Sequence, residues 1–557
     1  MTYREKYENW LTFDEETAKE LSSITDEKEI EDRFYKDIAF GTGGLRGIMG
    51  AGSNRMNKYT IGKATFGIAN YLKSRKDGEI KVALAYDSRN NSAYFASVAA
   101  GIFARCGFKV FLYETLVPVP VLSFTTAFLG CDAGVMITAS HNPKEYNGYK
   151  VYDEKGCQLF TEDANAAIGF INEIEEYVSI PFGSDKDENI TLIGEDVLSE
   201  YLKKVKEQSV YEEASDLKIV YTPLHGTGNI PVRRMIDGMN VTVVKEQEMP
   251  DGNFPTAPYP NPEIRQPFEI ALKMAEEICP DILLATDPDC DRVGIAVHHK
   301  GEFKLLTGND VGILLLDYIC KQRTKNGTMP QKPVAVKTIV TSEMCRGICK
   351  DFGVELIDVL TGFKFIGEQI GLLEEKGEEN RYIFGFEESY GYLAGSYVRD
   401  KDAVIGSMLI CEMTAYYKNL GMTLVDALNA LFEKYGYYIC AQSSFAFEGI
   451  SGMEKMKNIM NELRTNSPKE LCGVKITEIC DYELSVKKGL VNGEESVITL
   501  PKSNVLGFTL ENGCGFIVRP SGTEPKIKIY FSSVAETLDA SNANIEEMTL
   551  GCSVWFK

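Results

Sequence analysis

Two hydrophobic periods alternate along this chain. Short runs rich in β-branched and aromatic residues, KVALAYDS, FKVFLYET, AGVMITAS, LKIVYTPL, DILLATDP, PVAVKTIVTS and RYIFGFEES, recur between stretches of helical spacing. The alternation predicts strands separated by helices, and hence α/β units with largely parallel sheets. Three runs end in loops rich in hydroxyl or carboxylate groups: MITASHNP, LLATDPDCDR and IFGFEESYG. In open parallel sheets ligands bind beyond the carboxyl ends of strands, so these three ends are expected to face a common cleft. From about Gly436 the pattern changes to SSFAFEGI, GVKITEICDYEL, ESVITLP, SNVLGFTLENGCGFIVRPSG and KIKIYFSS, with ENG and VNGEE as turn signals. This predicts a separate α+β domain with an antiparallel sheet. The expected domains are 1–205, 206–304 and 305–430, all α/β, and 431–557, α+β.

Composition narrows the function. A chain of 557 residues with 44% hydrophobic content reads as a multidomain globular protein. A formal net charge of −22 argues against nucleic acid or an anionic membrane as partner, and an anionic ligand would need a local basic pocket. The 14 cysteines form no C-x-x-C pair, which suits a reducing compartment. The N-terminal MTYREKYENWLTFDEETAKEL is charged and helical in pattern, without the apolar core of a signal peptide. No run of about 18 apolar residues occurs, so the expected location is cytoplasmic.

The loops then supply candidate chemistry. Asp287, Asp289 and Asp291 alternate just after ILLAT, and alternate side chains of a curled loop can face one hard cation such as Mg²⁺ or Ca²⁺. An EF-hand would need Gly at Arg292 and Glu at His298. The plainer reading is a solvated acidic turn; the preceding buried strand and the mutual repulsion of the carboxylates favour a metal. In FIVRPSGTEPKIKIY, Arg519, Ser521, Gly522, Thr523 and Lys526 make a phosphate cradle or, more plainly, a polar hairpin turn. Arg46, Arg89 and Lys401 are further cationic candidates, each of which taken alone reads as a surface charge or salt bridge. Glu387, Glu388 and Ser389 follow the strand RYIFGF and suit either sugar hydroxyls or a helix N-terminus. Ser140 and His141 invite a nucleophile and base reading. Neighbours on an extended segment point apart, however, which disfavours His141 as the base for Ser140.

TASHNPKEYNGYK, DPDCDR, GFEESYGY and RPSGTEPK, in this order and with GTGGLRG and YTPLHGTG between and before them, resemble the α-D-phosphohexomutases, most closely the bacterial phosphoglucomutase and phosphopentomutase-like branch. The resemblance implies a heart-shaped molecule of three related α/β domains and a smaller C-terminal one. It implies that Ser140 is the phosphorylated serine, that Asp287, Asp289 and Asp291 hold Mg²⁺ together with it, and that Lys150 is the general base. Arg46 and His141 join the catalytic set, with His141 steadying the loop or phosphate. Arg292 and Lys401 join the substrate contacts, Glu387 and Ser389 read sugar hydroxyls, and Arg519, Ser521, Gly522 and Thr523 grip the non-reacting phosphate. The implied activity interconverts glucose 1-phosphate and glucose 6-phosphate through a phosphoserine and glucose 1,6-bisphosphate, in a monomer or homodimer whose partners are small sugar phosphates. Gly391 and Tyr392 stand where phosphomannomutase/phosphoglucomutase relatives carry a histidine, which weakens the case for mannose phosphates. Phosphopentomutase, phosphomannomutase and hexose-bisphosphate synthase activities share the same motifs. A metal-dependent phosphatase would release inorganic phosphate instead, and a non-enzymic binding relative would be expected to lack the serine or an aspartate.

Overall fold

The computed structural model describes residues 1–41, 43–447, 449–521 and 526–556. They form two compact units, Met1–Leu306 with Gly367–Tyr382 and Tyr390–Tyr416, and Thr307–Ile366 with Ile383–Ser389 and Tyr417–Lys557. The first unit contains two sheets. One runs Leu45–Ile48, Tyr146–Tyr152, Ala133–Ile137, Lys81–Tyr86, Lys109–Tyr113, Ile190–Ile193. Its last four strands are parallel, and Tyr146–Tyr152 is antiparallel to both of its neighbours. AGVMI is buried at all five positions, as a strand covered on both faces requires. Helices Ser92–Arg105 and Val119–Phe128 pack on this sheet. Helix Lys58–Arg75 starts where Asn57 accepts hydrogen bonds from Tyr59 and Thr60 N–H, satisfying two of the orphan donors of its first turn.

The second sheet runs Glu302–Leu306, Val293–His299, Ile282–Thr286, Lys218–Thr222, Asn240–Val243. Lys218–Thr222 is parallel to both of its neighbours, whereas Val293–His299 is antiparallel to both of its own. The serine and aspartate loops therefore lie in hairpins rather than in strand-to-helix crossovers. Their lengths demand it, because a parallel return needs a dozen or more residues.

In the second unit Val334–Thr338 lies between Glu355–Val359, to which it is parallel, and Tyr382–Glu387. The last sheet is antiparallel in the order Tyr437–Ala446, Lys526–Ala535, Gly515–Pro520, Leu506–Leu510, Val474–Asp481, Val486–Gly489, Glu495–Val497. SSFAFEGI is not a short strand of its own: its first residues end the ten-residue strand Tyr437–Ala446. The tail, which sequence pattern leaves unassigned, forms helix Leu538–Ser553 against strands Lys526–Ala535 and Tyr437–Ala446.

Candidate active site

Ser140 is the third residue of the loop between strands Ala133–Ile137 and Tyr146–Tyr152, and its backbone is left-handed at φ 52°. Such a φ is uncommon without glycine, and side-chain bonds stabilise it here. Thr138 Oγ1 donates to Asp87 Oδ2 at 2.6 Å and accepts from Ser140 N–H at 2.8 Å. This aims Ser140 Oγ, only 2% exposed as a residue, at Asp287 Oδ2, 2.9 Å away, and Arg292 Nη1 donates to the same Oγ at 2.7 Å.

The left-handed turn also corrects the expectation for His141. Its Nδ1 lies 3.2 Å from Ser140 Oγ, because the loop is not extended and the two side chains share one side. Arg292 Nη1 is 3.0 Å from the same nitrogen, so Nδ1 is shared between two partners. Burial, then Arg292 and Arg46, hold the His141 pKa well below the usual imidazole range. The ring is a neutral hydrogen-bonding group at this place.

Asp287, Asp289 and Asp291 are fully buried, and each offers an oxygen within 4.8 Å of the others. Cys290 between them has φ 51°, which curls the hairpin, and Asp287 Oδ1 accepts from Asp291 and Arg292 N–H, both at 3.0 Å. Burial and then the charges of Asp289 and Asp291 push the Asp287 pKa up. Burial also pushes Asp291 upward, but Lys401, Lys150 and Arg292 together hold it below the usual carboxylate range. Asp289 Oδ1 is buried and accepts no hydrogen bond among the described residues. An orphaned buried carboxylate oxygen beside two more carboxylates is the donor set of a hard divalent cation, so these residues fit a metal ion.

Two lysines complete this cluster. Lys150, on strand Tyr146–Tyr152, places Nζ 3.0 Å from Asp289 Oδ2 and 3.4 Å from Asp291 Oδ2. Lys401 Nζ lies 2.9 Å from Asp291 Oδ2 and 3.3 Å from Asp400 Oδ1. Tyr152 OH donates to Asp400 at 2.9 Å, tying the Lys150 strand to the Lys401 loop. Arg46 is exposed on strand Leu45–Ile48 and donates to Asn142 Oδ1 at 3.0 Å, beside the serine loop.

Glu387, Glu388, Ser389, Arg519 and Ser521, also singled out from the sequence, belong to the second compact unit. Glu387 ends strand Tyr382–Glu387 and is buried; the next residues form a turn, not the helix N-terminus offered as one reading of EES. Glu388 accepts from Thr338 Oγ1 at 3.3 Å, and its pKa is pushed up to about 7 by burial and then by Glu387, against Lys528 and Arg519. Ser389 lies in the same turn, Arg519 near the end of strand Gly515–Pro520, and Ser521 N–H donates to Lys526 O at 2.7 Å where the hairpin opens. Gly522 and Thr523 lie outside the described residues.

Two segments named from the sequence take supporting roles that the sequence did not assign to them. Arg89 is not the surface charge that such a residue usually is; it is 3% exposed, within hydrogen-bond reach of the serine-loop carbonyls. YTPLHGTG braces the aspartate hairpin from behind. Thr227 N–H donates to Pro288 O at 2.8 Å, and a Cβ on Gly226 would lie 2.5 Å from Pro288 Cα. In both cases the available signal was a motif placed at a strand end, YDSRNNS and YTPLHGTG.

A serine held against a buried carboxylate triad by an arginine, on tandem α/β units, suits phosphoryl transfer beside a hard cation. The family models agree: residues 37–178, 199–301 and 307–435 match phosphoglucomutase/phosphomannomutase α/β/α domains I, II and III. The chain belongs to the phosphoglucomutase/phosphomannomutase family. A phosphoglucomutase of Staphylococcus epidermidis is 38% identical over 548 residues, covering 97% of this chain and 98% of its own. Among solved structures, the Paramecium phosphoglucomutase parafusin superposes with TM-score 0.67 at 17% identity, covering 94% of this chain and 95% of its own. The Aspergillus fumigatus N-acetylphosphoglucosamine mutase, solved with GlcNAc-6P and magnesium, gives 0.52 at 13% identity with full coverage of both chains. No helix among the described residues is long and apolar enough to cross a membrane.

Proposed function

We propose that this protein is a phosphoglucomutase that interconverts glucose 1-phosphate and glucose 6-phosphate through phosphorylated Ser140 and a bound glucose 1,6-bisphosphate. The observation that carries this reading is Ser140 Oγ, 2.9 Å from Asp287 Oδ2 and 2.7 Å from Arg292 Nη1. In the forward step the bond from phosphorus to Ser140 Oγ breaks and a bond to the free sugar hydroxyl forms. Lys150, as the neutral amine freed from its ion pairs with Asp289 and Asp291, takes the hydroxyl proton, which ends on Ser140 Oγ. The bisphosphate turns round and its other phosphoryl group returns to Ser140 by the reverse steps. Asp287, Asp289, Asp291 and Ser140 would hold Mg²⁺, which when bound neutralises charge on the phosphoryl group in transfer. Arg292 and His141 orient the serine oxygen, and Arg46 and Lys401 supply positive charge. Glu387 and Ser389 read the ring, and the loop at Arg519 and Ser521, continuing through Gly522 and Thr523, grips the other phosphate.

On this reading residues 1–205 carry the serine loop, 206–304 the metal loop, 305–430 the sugar loop and 431–557 the phosphate loop, in a cytoplasmic monomer or homodimer. The test is a coupled assay of glucose 1-phosphate conversion with catalytic glucose 1,6-bisphosphate and Mg²⁺, run beside mannose and pentose 1-phosphates. Glucose 6-phosphate formed without net phosphate release is the expected result. Stoichiometric inorganic phosphate, or a marked preference for a pentose substrate, would overturn it.

A further inference from the structure

We infer that Arg89 is a positioning residue that keeps phosphorylated Ser140 aligned with its acceptor and away from water. Its guanidinium binds four carbonyl oxygens of the serine loop. Nη2 donates to Ser140 O and Asn142 O, and Nη1 donates to Pro143 O at 2.9 Å and to Tyr146 O at 3.2 Å. These carbonyls begin at the left-handed Ser140 and continue through the loop after it to the start of strand Tyr146–Tyr152. One planar fork therefore fixes the curvature of the whole loop, which a point-like ammonium cannot do.

Arg89 is itself held from two directions. Asp87 Oδ2 lies 3.4 Å from its Nε, and Asp87 also accepts from Thr138 and Ser92 hydroxyls and from Arg89 N–H. On the other side Cζ stands 5.0 Å from the Phe254 ring centroid, a cation–π contact inside the protein. Asn90 Nδ2 donates to Gly252 O at 3.3 Å and to Asn253 Oδ1 at 3.1 Å. A Cβ on Gly252 would lie 2.3 Å from Asn90 N, so only glycine allows this approach. Segment 252–254 thus sets Arg89 against the part of the chain that carries the aspartate hairpin. The distance from Ser140 Oγ to Asp287 depends on that register.

This inference rests on the phosphomutase reading, and its consequence concerns partition. A phosphoryl group on Ser140 goes either to a sugar hydroxyl or to water; the second path breaks the same bond and releases inorganic phosphate. A loosened loop favours water. An error of about 1 Å at the reacting atoms costs on the order of a hundredfold in transfer.

The test compares full-length wild type, Arg89→Lys and Phe254→Leu, each charged with glucose 1,6-bisphosphate. Intact mass reads Ser140 phosphorylation, and phosphate release is measured against mutase turnover. Arg89→Lys is expected to lower kcat by about tenfold to a hundredfold, with KM changed by less than about threefold, and to raise phosphate released per turnover by about tenfold. Phe254→Leu is expected to shift the same two readouts in the same direction, more weakly. If Arg89→Lys does not fold, Phe254→Leu decides alone. Variants that match the wild type in kcat and in partition, per folded molecule, overturn the role of Arg89 while leaving the phosphomutase reading intact. A wild type that takes up no phosphate on Ser140 overturns both.

Discussion

Ser140 Oγ donates a 2.9 Å hydrogen bond to Asp287 Oδ2, although the two residues are 147 positions apart. The bond sets the hydroxyl that would carry phosphate directly on a carboxylate of the aspartate triad. Replacing Ser140 by alanine is therefore expected to remove covalent phosphate and lower kcat by at least about a thousandfold, with the circular dichroism spectrum unchanged. Steady-state kinetics and intact mass together check this. Mutase activity within tenfold of the wild type would exclude Ser140 as the carrier.

Asp289 has a buried oxygen without a hydrogen-bond partner among the described residues, and its other oxygen faces Lys150. Asp289→Asn is expected to weaken divalent-cation binding by on the order of a hundredfold. The melting temperature in chelator should change little, since relieved repulsion with Asp287 and Asp291 offsets the lost ion pair with Lys150. Calorimetric titration with Mg²⁺ and a thermal melt give the two readings; an unchanged affinity removes Asp289 from the metal site.

Gly226 approaches Pro288 so closely that an added methyl must displace the metal hairpin: its Cβ would lie 2.5 Å from Pro288 Cα and 2.7 Å from Pro288 O. Gly226→Ala is expected to cost about 1–3 kcal/mol in stability and to weaken Mg²⁺ binding by about tenfold. Urea unfolding and metal titration measure both effects. Loss of stability with intact metal affinity would show that the hairpin is not positioned by this segment.

Tyr201 OH and Tyr397 OH both donate to Asp402 Oδ2, at 2.8 and 2.6 Å, and Asp402 Oδ1 accepts from Val404 and Ile405 N–H. Tyr201→Phe leaves a buried carboxylate short of a donor. The expected cost is about 1–3 kcal/mol, read by chemical denaturation. A change below about 0.5 kcal/mol would mean that water replaces the hydroxyl.

Glu388 has its pKa pushed up from 4.5 to about 7, so the folded chain holds this proton more tightly than the unfolded chain. Below pH 4.5 both states are protonated and the group adds no pH dependence. From pH 4.5 to 7 the unfolded chain releases the proton first, so stability falls as pH rises, and above 7 the penalty is complete. Glu388→Gln is expected to remove on the order of 3 kcal/mol of this decline. Unfolding free energies measured from pH 4 to 8 check it; equal slopes for the two proteins would place the proton elsewhere.

Apolar period, loop composition and motif order were enough to predict the seven principal α/β strands and the antiparallel C-terminal sheet, and to name Ser140, Lys150 and the three aspartates that the fold brings together. Each of these depends on local spacing, since AGVMI must be covered on both faces and DPDCDR can present alternate carboxylates wherever it folds. The tertiary structure decided what local spacing cannot carry. Ser140 adopts a left-handed backbone without being glycine, which turns His141 Nδ1 to within 3.2 Å of its oxygen and reverses the expectation from an extended chain. Arg89 looks like any surface arginine until four distant carbonyls close around it, and Lys150 meets Asp289 only across 139 positions of sequence. Burial and facing charge set the pKa values of Asp287, His141 and Glu388, and both arise only when remote segments remove water from a side chain.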